Sequence, residues 1–341
     1  MQDAKKDIRS LLLPELEAEL QALGAPRYRA GQVFRWLQRG VRDFGEMTDL
    51  PASLRDKLEA AYFLAPPQVQ RKQVSAADGT VKYLWRLADG NAVESVVMRY
   101  RYGNTVCISS QVGCRQGCVF CASTGLGFVR NLQAGEMLDQ VLWSGLDSGA
   151  AITGVVLMGI GEPLENYEQV LRFLKLANDS QGLNIGMRHV SLSTCGLVPA
   201  ILRLAEEDLQ LTLSVSLHAP DDETRRKLMP IAAKYDLITL MDACAAYYQR
   251  TGRRLSFEYA LIRGVNDSPA QAALLADWMK RVHGHVNLIP LNKVTGSPLT
   301  PGDTRAFSKR LTELGVNVTV RRRLGADIDA ACGQLRRKEA T

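Results

Sequence analysis

The chain has 341 residues, 46% of them hydrophobic, enough for one large core and a small accessory domain. Charged residues make up 23% and aromatics 6%, without low-complexity runs, which excludes a disordered or fibrous chain. The net charge of +6 suits a nucleic-acid partner and equally an ordinary, slightly basic enzyme.

The opening stretch, MQDAKKDIRSLLLPELEAEL, is charged within its first residues and then turns amphipathic, unlike a signal peptide. No apolar run is long enough to span a membrane. A cytoplasmic location with reduced thiols is therefore expected. Seven cysteines in that setting point to metal binding or catalysis rather than a disulfide scaffold.

Three helical patterns follow: DIRSLLLPELEAELQALG, RYRAGQVFRWLQRG and LPASLRDKLEAAY, with apolar residues three and four apart. Glycines and prolines punctuate them. Residues 1–75 read as a helical accessory domain that binds RNA. Arg27, Arg29, Arg35 and Arg39 give it a basic face or merely a solvated one. Residues 76–106 read as a strand-rich connector of two or three antiparallel strands.

From there short β-rich runs alternate with helical stretches such as AGEMLDQVLWSGLDS and SPAQAALLADWMKRVH. The strand candidates are 105–111, 153–161, 188–194, 211–219, 255–264, 285–292 and 316–323. Such alternation implies a parallel sheet and an α/β fold, a partial or complete β/α (TIM-like) barrel over residues 107–323. Function in barrels gathers at the C-terminal ends of the strands. The C-terminal segment, 324–341, carries Cys332.

At the end of the first barrel strand lies SSQVGCRQGCVFCAST, which places Cys114, Cys118 and Cys121 in one loop with C-x3-C-x2-C spacing. Three thiolates on a four-iron cubane leave one iron for a small chelating molecule, and the amino and carboxylate groups of S-adenosylmethionine (SAM) suit it. The spacing, with Phe120 before the last cysteine, is the radical SAM signature. The alternative is a zinc site with a remote fourth ligand such as Cys107 or a histidine. MGIGEP (158–163) resembles the stretch that binds the methionine amino group in that superfamily, with Gly161 and Glu162 as contacts. Ser193, Ser216, Leu217, His218 and Asn292 lie at other strand ends. They are candidates to hold SAM or, on the plainer reading, caps of those ends.

CISSQVGCRQGCVFCAST, GFVRNLQAGEM, MGIGEPLENY, RRKLMPI, LIRGVNDS, HVNLIPLN and GADIDAACGQL together resemble the radical SAM RNA methyltransferases of the RlmN/Cfr family. The resemblance spans nearly the whole chain. It implies a [4Fe-4S] cluster on Cys114, Cys118 and Cys121, and two SAM molecules per turnover. It implies that Cys332 is methylated first and that a 5′-deoxyadenosyl radical then activates its methyl group for addition to an adenine carbon. The resemblance further implies that Cys107 helps resolve the adduct through a transient disulfide with Cys332, and it makes Glu94 the candidate proton acceptor. The implied substrates are an adenosine of 23S rRNA and an anticodon-loop adenosine of some tRNAs. A reductant such as flavodoxin and a monomeric state are expected. The Gly-Glu-Pro at 161–163 favours the branch that methylates carbon 2 over the branch that methylates carbon 8. The stretch ASTGLGF after Cys121 departs from many members. Such chemistry suits an electron-poor ring carbon, which does not attack a sulfonium methyl as a thiolate does. Another radical SAM enzyme on the same barrel is the alternative class. Cys195 and Cys244 are read as buried structural thiols.

Overall fold

The computed structural model describes residues 5–292, 297–328 and 335. Three helices open the chain: α1 (Leu13–Ala22), α2 (Tyr28–Arg39) and α3 (Ala52–Ala61). The short strands β1 (Lys6–Asp7) and β2 (Tyr62–Phe63) pair in parallel and bring their ends together. Helix α2 buries Ala30, Val33, Phe34 and Leu37, one stripe at helical spacing, and stops at Gly40 in the left-handed region. Its apolar face joins the same hydrophobic core as the rest of the molecule. The buried Arg9 fastens this unit to the body by pairing with Asp139 and donating to the Val41 carbonyl.

Four strands follow in an antiparallel run: β3 (Gln68–Val74), β4 (Val81–Arg86), β5 (Ala92–Tyr100) and β6 (Gly103–Cys107). A separate antiparallel pair, β7 (Gln111–Gly113) and β8 (Phe128–Asn131), brackets the cysteine loop. The chain then alternates α4 (Ala134–Ser148), β9 (Ile152–Leu157), α5 (Tyr167–Asn178), β10 (Val190–Thr194), α6 (Val198–Ala205) and β11 (Thr212–Ser216). It continues through α7 (Asp222–Leu228), α8 (Leu237–Thr251), β12 (Ser256–Leu261), α9 (Pro269–Val282), β13 (His285–Pro290), α10 (Thr304–Glu313) and β14 (Val318–Val320).

Ten of these strands form one sheet in the order β14-β13-β12-β11-β10-β9-β6-β5-β4-β3. The seven from β6 to β14 run parallel. Strand β14 pairs only with β13 among the described residues, so the ring is open and the barrel partial. This is the α/β architecture the sequence implies, with all seven strand candidates present.

Two boundaries differ. Strand β3 falls inside the stretch read as helical, 1–75. Its residues QVQRKQV are almost all exposed, so a polar edge strand offers no apolar alternation to recognise. The strands of 76–106 are not a separate connector either, since β5 pairs with β6 and β6 with β9 in one continuous sheet. Most strand candidates also ended too late. The apolar run continues past the ladder into loops that line a cavity, as with MGIG after β9.

Candidate functional site: the cysteine loop and two adjoining cavities

The loop from Cys114 to Gly127 is pinched at its base. The Cys114 N–H donates to the Gly127 carbonyl at 3.1 Å. Gly113 sits at φ +81°, and a Cβ there would lie 1.8 Å from the Gly127 oxygen, so only glycine closes the stem. The Val119 N–H donates to the Leu228 carbonyl at 3.1 Å, tying the loop's crown to the end of α7. Gln116 donates to Glu165 at 2.8 Å.

Cys114, Cys118 and Cys121 all line one cavity of about 250 Å³ at the C-terminal ends of the parallel strands. Burial pushes the Cys114 thiol up to about 11, with Cys121, Glu162 and Glu165 adding to it. Burial also raises Cys118, reinforced by Cys121 and Cys114. Thiolates gathered here need a cationic partner to be stable, and a loop offering three soft sulfur donors fits an iron–sulfur cluster. No three His, Cys, Asp or Glu side chains among the described residues gather round a single-ion site. Cys107, considered as a fourth zinc ligand, lines the neighbouring cavity instead.

The same cavity is lined by Gly161, Glu162, Ser193, Ser216, His218 and Asn292. Leu217 is not among the lining residues; its side chain is fully buried and its N–H goes to the Glu258 carbonyl at 3.1 Å. Glu162 accepts N–H bonds from Cys195 at 2.7 Å and Leu164 at 3.1 Å. Burial raises its pKa despite them, and no cation pairs with it among the described residues. A buried carboxyl facing a cavity without a counter-charge fits an ammonium group. Gly159 and Gly161 let the Glu162 loop pack against residues 108–111: a Cβ would meet the Ile108 carbonyl oxygen at 2.5 Å and the Gln111 Cβ at 2.7 Å.

His218, at φ +57°, accepts the Ala260 N–H on Nδ1 at 2.9 Å, which places its ring proton on Nε2. Burial, then the Arg225 charge, drive its pKa down to about 3, so the ring is a neutral donor. Phe120 meets it edge-on at 4.5 Å between centroids.

A second cavity of about 320 Å³ adjoins the first, sharing Met158, Gly159, Ile289, Asn292 and Arg321 as lining residues. Cys107 and Glu94 line it. Burial raises the Cys107 thiol while the Arg321 charge opposes the shift. Glu94 forms a buried ion pair with Lys82 at 2.9 Å. Residues 321–326 and 328 supply the facing wall. Cys332 lies outside the described residues.

Three site features were invisible to motif reading. Arg225 is fully buried and donates to the Cys195 carbonyl at 2.8 Å and the Leu217 carbonyl at 3.3 Å, joining the ends of β10 and β11. Its only sequence signal is its place in RRKLMPI. Cys195, read as a structural thiol, lines the first cavity and contacts Gln116 Oε1 through Sγ at 3.3 Å. Glu258 lines it too, held by Asn287 Nδ2 at 2.8 Å. Cys244 is buried in the core, as expected. Arg130 on β8, another basic side chain that could meet RNA, is engaged with Asp89 at 2.6 Å and Glu136 at 2.7 Å.

Comparison with known proteins agrees with this geometry. Residues 108–276 match the radical SAM superfamily, and residues 6–64 match the ribosomal RNA large subunit methyltransferase N-terminal domain. The chain is 50% identical over 337 residues to a probable dual-specificity RNA methyltransferase RlmN of Alkaliphilus oremlandii, covering 98% of both chains. It is 54% identical over 339 residues to the like-named protein of Pelotomaculum thermopropionicum, covering 98% of this chain and 92% of that one. The crystal structure of a radical SAM methyltransferase from Sphaerobacter thermophilus superposes with a TM-score of 0.92 at 44% identity, covering 96% of this chain and 98% of that one. No helix among the described residues is long and apolar enough to cross a membrane. The chain belongs to the RlmN family of radical SAM RNA methyltransferases.

Proposed function

We propose that the protein methylates carbon 2 of an adenosine in 23S rRNA and of an anticodon-loop adenosine in some tRNAs, with the methyl group carried on Cys332. The observation that carries this reading is the placement of Cys107 and Glu94 in a cavity that adjoins the cysteine-loop cavity. That cavity is walled by the segment leading toward Cys332. The relatives described as dual-specificity RNA methyltransferases support the two RNA substrates.

In this reading Cys114, Cys118 and Cys121 hold the [4Fe-4S] cluster and leave one iron for SAM. When bound, the cluster and SAM supply a carbon-centred radical. Glu162 and the Gly161 backbone take the methionine amino group, while Ser193, Ser216, His218 and Asn292 offer hydrogen bonds to the rest of the molecule. The backbone at Leu217 serves by fixing the β11 end. The Cys332 thiolate accepts a methyl group from a first SAM, and its sulfur then tethers that carbon to the base. Glu94 receives the proton lost from the ring carbon, with the Lys82 ammonium beside it balancing charge. The Cys107 thiolate attacks the Cys332 sulfur, so that an S–S bond forms as the bond from that sulfur to the RNA-borne carbon breaks, and that carbon keeps the electron pair and takes up a proton to become the methyl group. The target adenine leaves its stack to reach the cavity. Arg27, Arg29 and Arg321 to Arg323 contact phosphates, so binding weakens as salt rises. A flavodoxin-type reductant, a monomeric state and a cytoplasmic setting complete the proposal.

The test is a product assay. Cluster-loaded protein, reductant, SAM and RNA from an unmodified strain are incubated without oxygen, and digested nucleosides are identified by mass spectrometry. 2-Methyladenosine is expected. 8-Methyladenosine would transfer the protein to the carbon-8 branch, and neither product with an intact cluster would end the substrate assignment.

A further inference from the structure

Residues 321–328, a strap beyond β14, form no helix or strand, yet they are held at two places. At the near end the Arg321 N–H donates to the Leu288 carbonyl at 2.8 Å, extending the β13 register. At the far end it meets the β3–β4 turn, on the opposite side of the open sheet. Asp327 accepts the Ser75 hydroxyl at 2.6 Å and the Ala76 N–H at 2.8 Å. In return Asp78 accepts the Gly325 N–H at 2.8 Å. Each segment thus gives a carboxylate to the other's donors.

The receiving turn is built without the strap. The Ser75 N–H donates to the Thr80 carbonyl at 2.8 Å, and the Gly79 N–H to the Ser75 carbonyl at 3.1 Å. The N–H groups of Ala77 and Asp78 both reach the Ser75 hydroxyl at 3.2 Å. The Thr80 N–H donates to Asp78 at 3.0 Å. The strap therefore docks on a finished cradle and loses little turn entropy in doing so. The contacts hold both carboxylates ionised: Asp78 sits down near about 2, where the backbone N–H groups of Gly325 and Thr80 outweigh burial. Asp327 is lowered chiefly by the Ser75 hydroxyl.

Between its two anchors the strap forms one wall of the cavity that holds Cys107 and Glu94. Cys332 follows Asp327 by five residues, a tether of at most about 18 Å of extended chain. We infer that Asp327, Asp78 and Ser75 form a latch joining the two sides of the open sheet and fixing the stem from which Cys332 hangs. They are positioning residues for the methyl carrier. This rests on the reading of Cys332 as that carrier. A stem fixed beside the Cys107 cavity leaves the thiol only the freedom of a five-residue tether, which raises its effective concentration toward Cys107.

The experiment compares wild type with Asp327→Ala and Asp78→Asn as cluster-loaded protein, without oxygen and without RNA. Both variants should keep the brown cluster absorbance. Hydrogen exchange over 75–80 and 324–328 should speed up by about tenfold, equivalent to about 1.4 kcal/mol. The Cys107–Cys332 disulfide, driven by diamide and quantified by peptide mapping, should form about fivefold more slowly as effective concentration falls. Unchanged exchange would show that the contacts hold nothing. Faster exchange with an unchanged disulfide rate would reduce the latch to a surface attachment and overturn the proposal. Neither readout needs RNA, so a wild-type enzyme that makes no methyladenosine while its disulfide rate responds to Asp327→Ala would sink the function and leave the latch standing.

Discussion

Glu162 is where the structure makes its sharpest numerical commitment. The carboxyl is 3% exposed, takes two backbone N–H groups and has no cation partner among the described residues. Replacing it by glutamine keeps the shape and removes the charge that would face an ammonium. A hydrogen bond to a charged group contributes about 1.5–3 kcal/mol net. At about 1.4 kcal/mol per decade, Glu162→Gln should therefore weaken SAM binding roughly 10- to 150-fold. An amide also satisfies only one of the two N–H groups, so part of any loss reflects a disturbed loop. Isothermal titration with methylthioadenosine, which lacks the amino acid end, separates the two effects. SAM affinity should fall and methylthioadenosine affinity should hold. Equal losses for both ligands, or no loss for SAM, would refute the assignment. Burial raises the pKa of Glu162, so it takes up its proton at a higher pH than an exposed carboxyl does. SAM binding by the wild type should weaken on acidification from above the usual carboxylate range, while the glutamine variant shows no such step.

His218, with its pKa near about 3, must be neutral in the fold but protonates near 6.5 when unfolded. Its depressed value gives full stability above that pH and a loss as pH falls, about 1.4 kcal/mol between pH 7.5 and 5.5. Urea denaturation of the cluster-free protein should show this slope and His218→Gln should lack it; parallel slopes would contradict the buried neutral ring. Lys82→Met removes the ammonium that pairs with the buried Glu94 and should cost about 3–5 kcal/mol in the same assay, with Lys82→Met/Glu94→Leu recovering most of it. A loss no larger than that of a surface mutation would mean that water reaches Glu94. Cys332→Ala should retain the cluster chromophore and form no methylated nucleoside. Product at the wild-type rate would remove Cys332 from the mechanism.

How much of this was legible beforehand depends on whether a residue's role is local. Helix α4 matches the periodic stretch AGEMLDQVLWSGLDS residue for residue, because its apolar spacing, its Gln133–Glu136 start and its Gly149 stop are all local signals. The three cysteines and the Gly-Glu pair were equally plain, since spacing and backbone freedom are written in consecutive positions. Leu217 shows the limit. It lies between Ser216 and His218, which both line the cavity, and alternation along the chain turns its side chain into the core. Arg225 and Cys195 matter through partners 8 to 79 residues away in sequence, which no motif encodes. Strand β3 escaped notice because pairing with β4 defines it rather than its own pattern. The latch belongs to the same class, joining residues separated by 247 to 252 positions.

The clasp formed by β7 and β8 has a kinetic meaning for assembly. Because the loop's two ends are already joined, residues 114–127 form a short closed circuit hung on a finished sheet. Ordering that circuit around a metal cluster costs only local entropy, and the ladder and core beneath keep their own stability. The polypeptide can complete its barrel first and be loaded with iron and sulfide later. If Cys114, Cys118 and Cys121 hold the cluster as proposed, its loss would leave the sheet and core beneath standing.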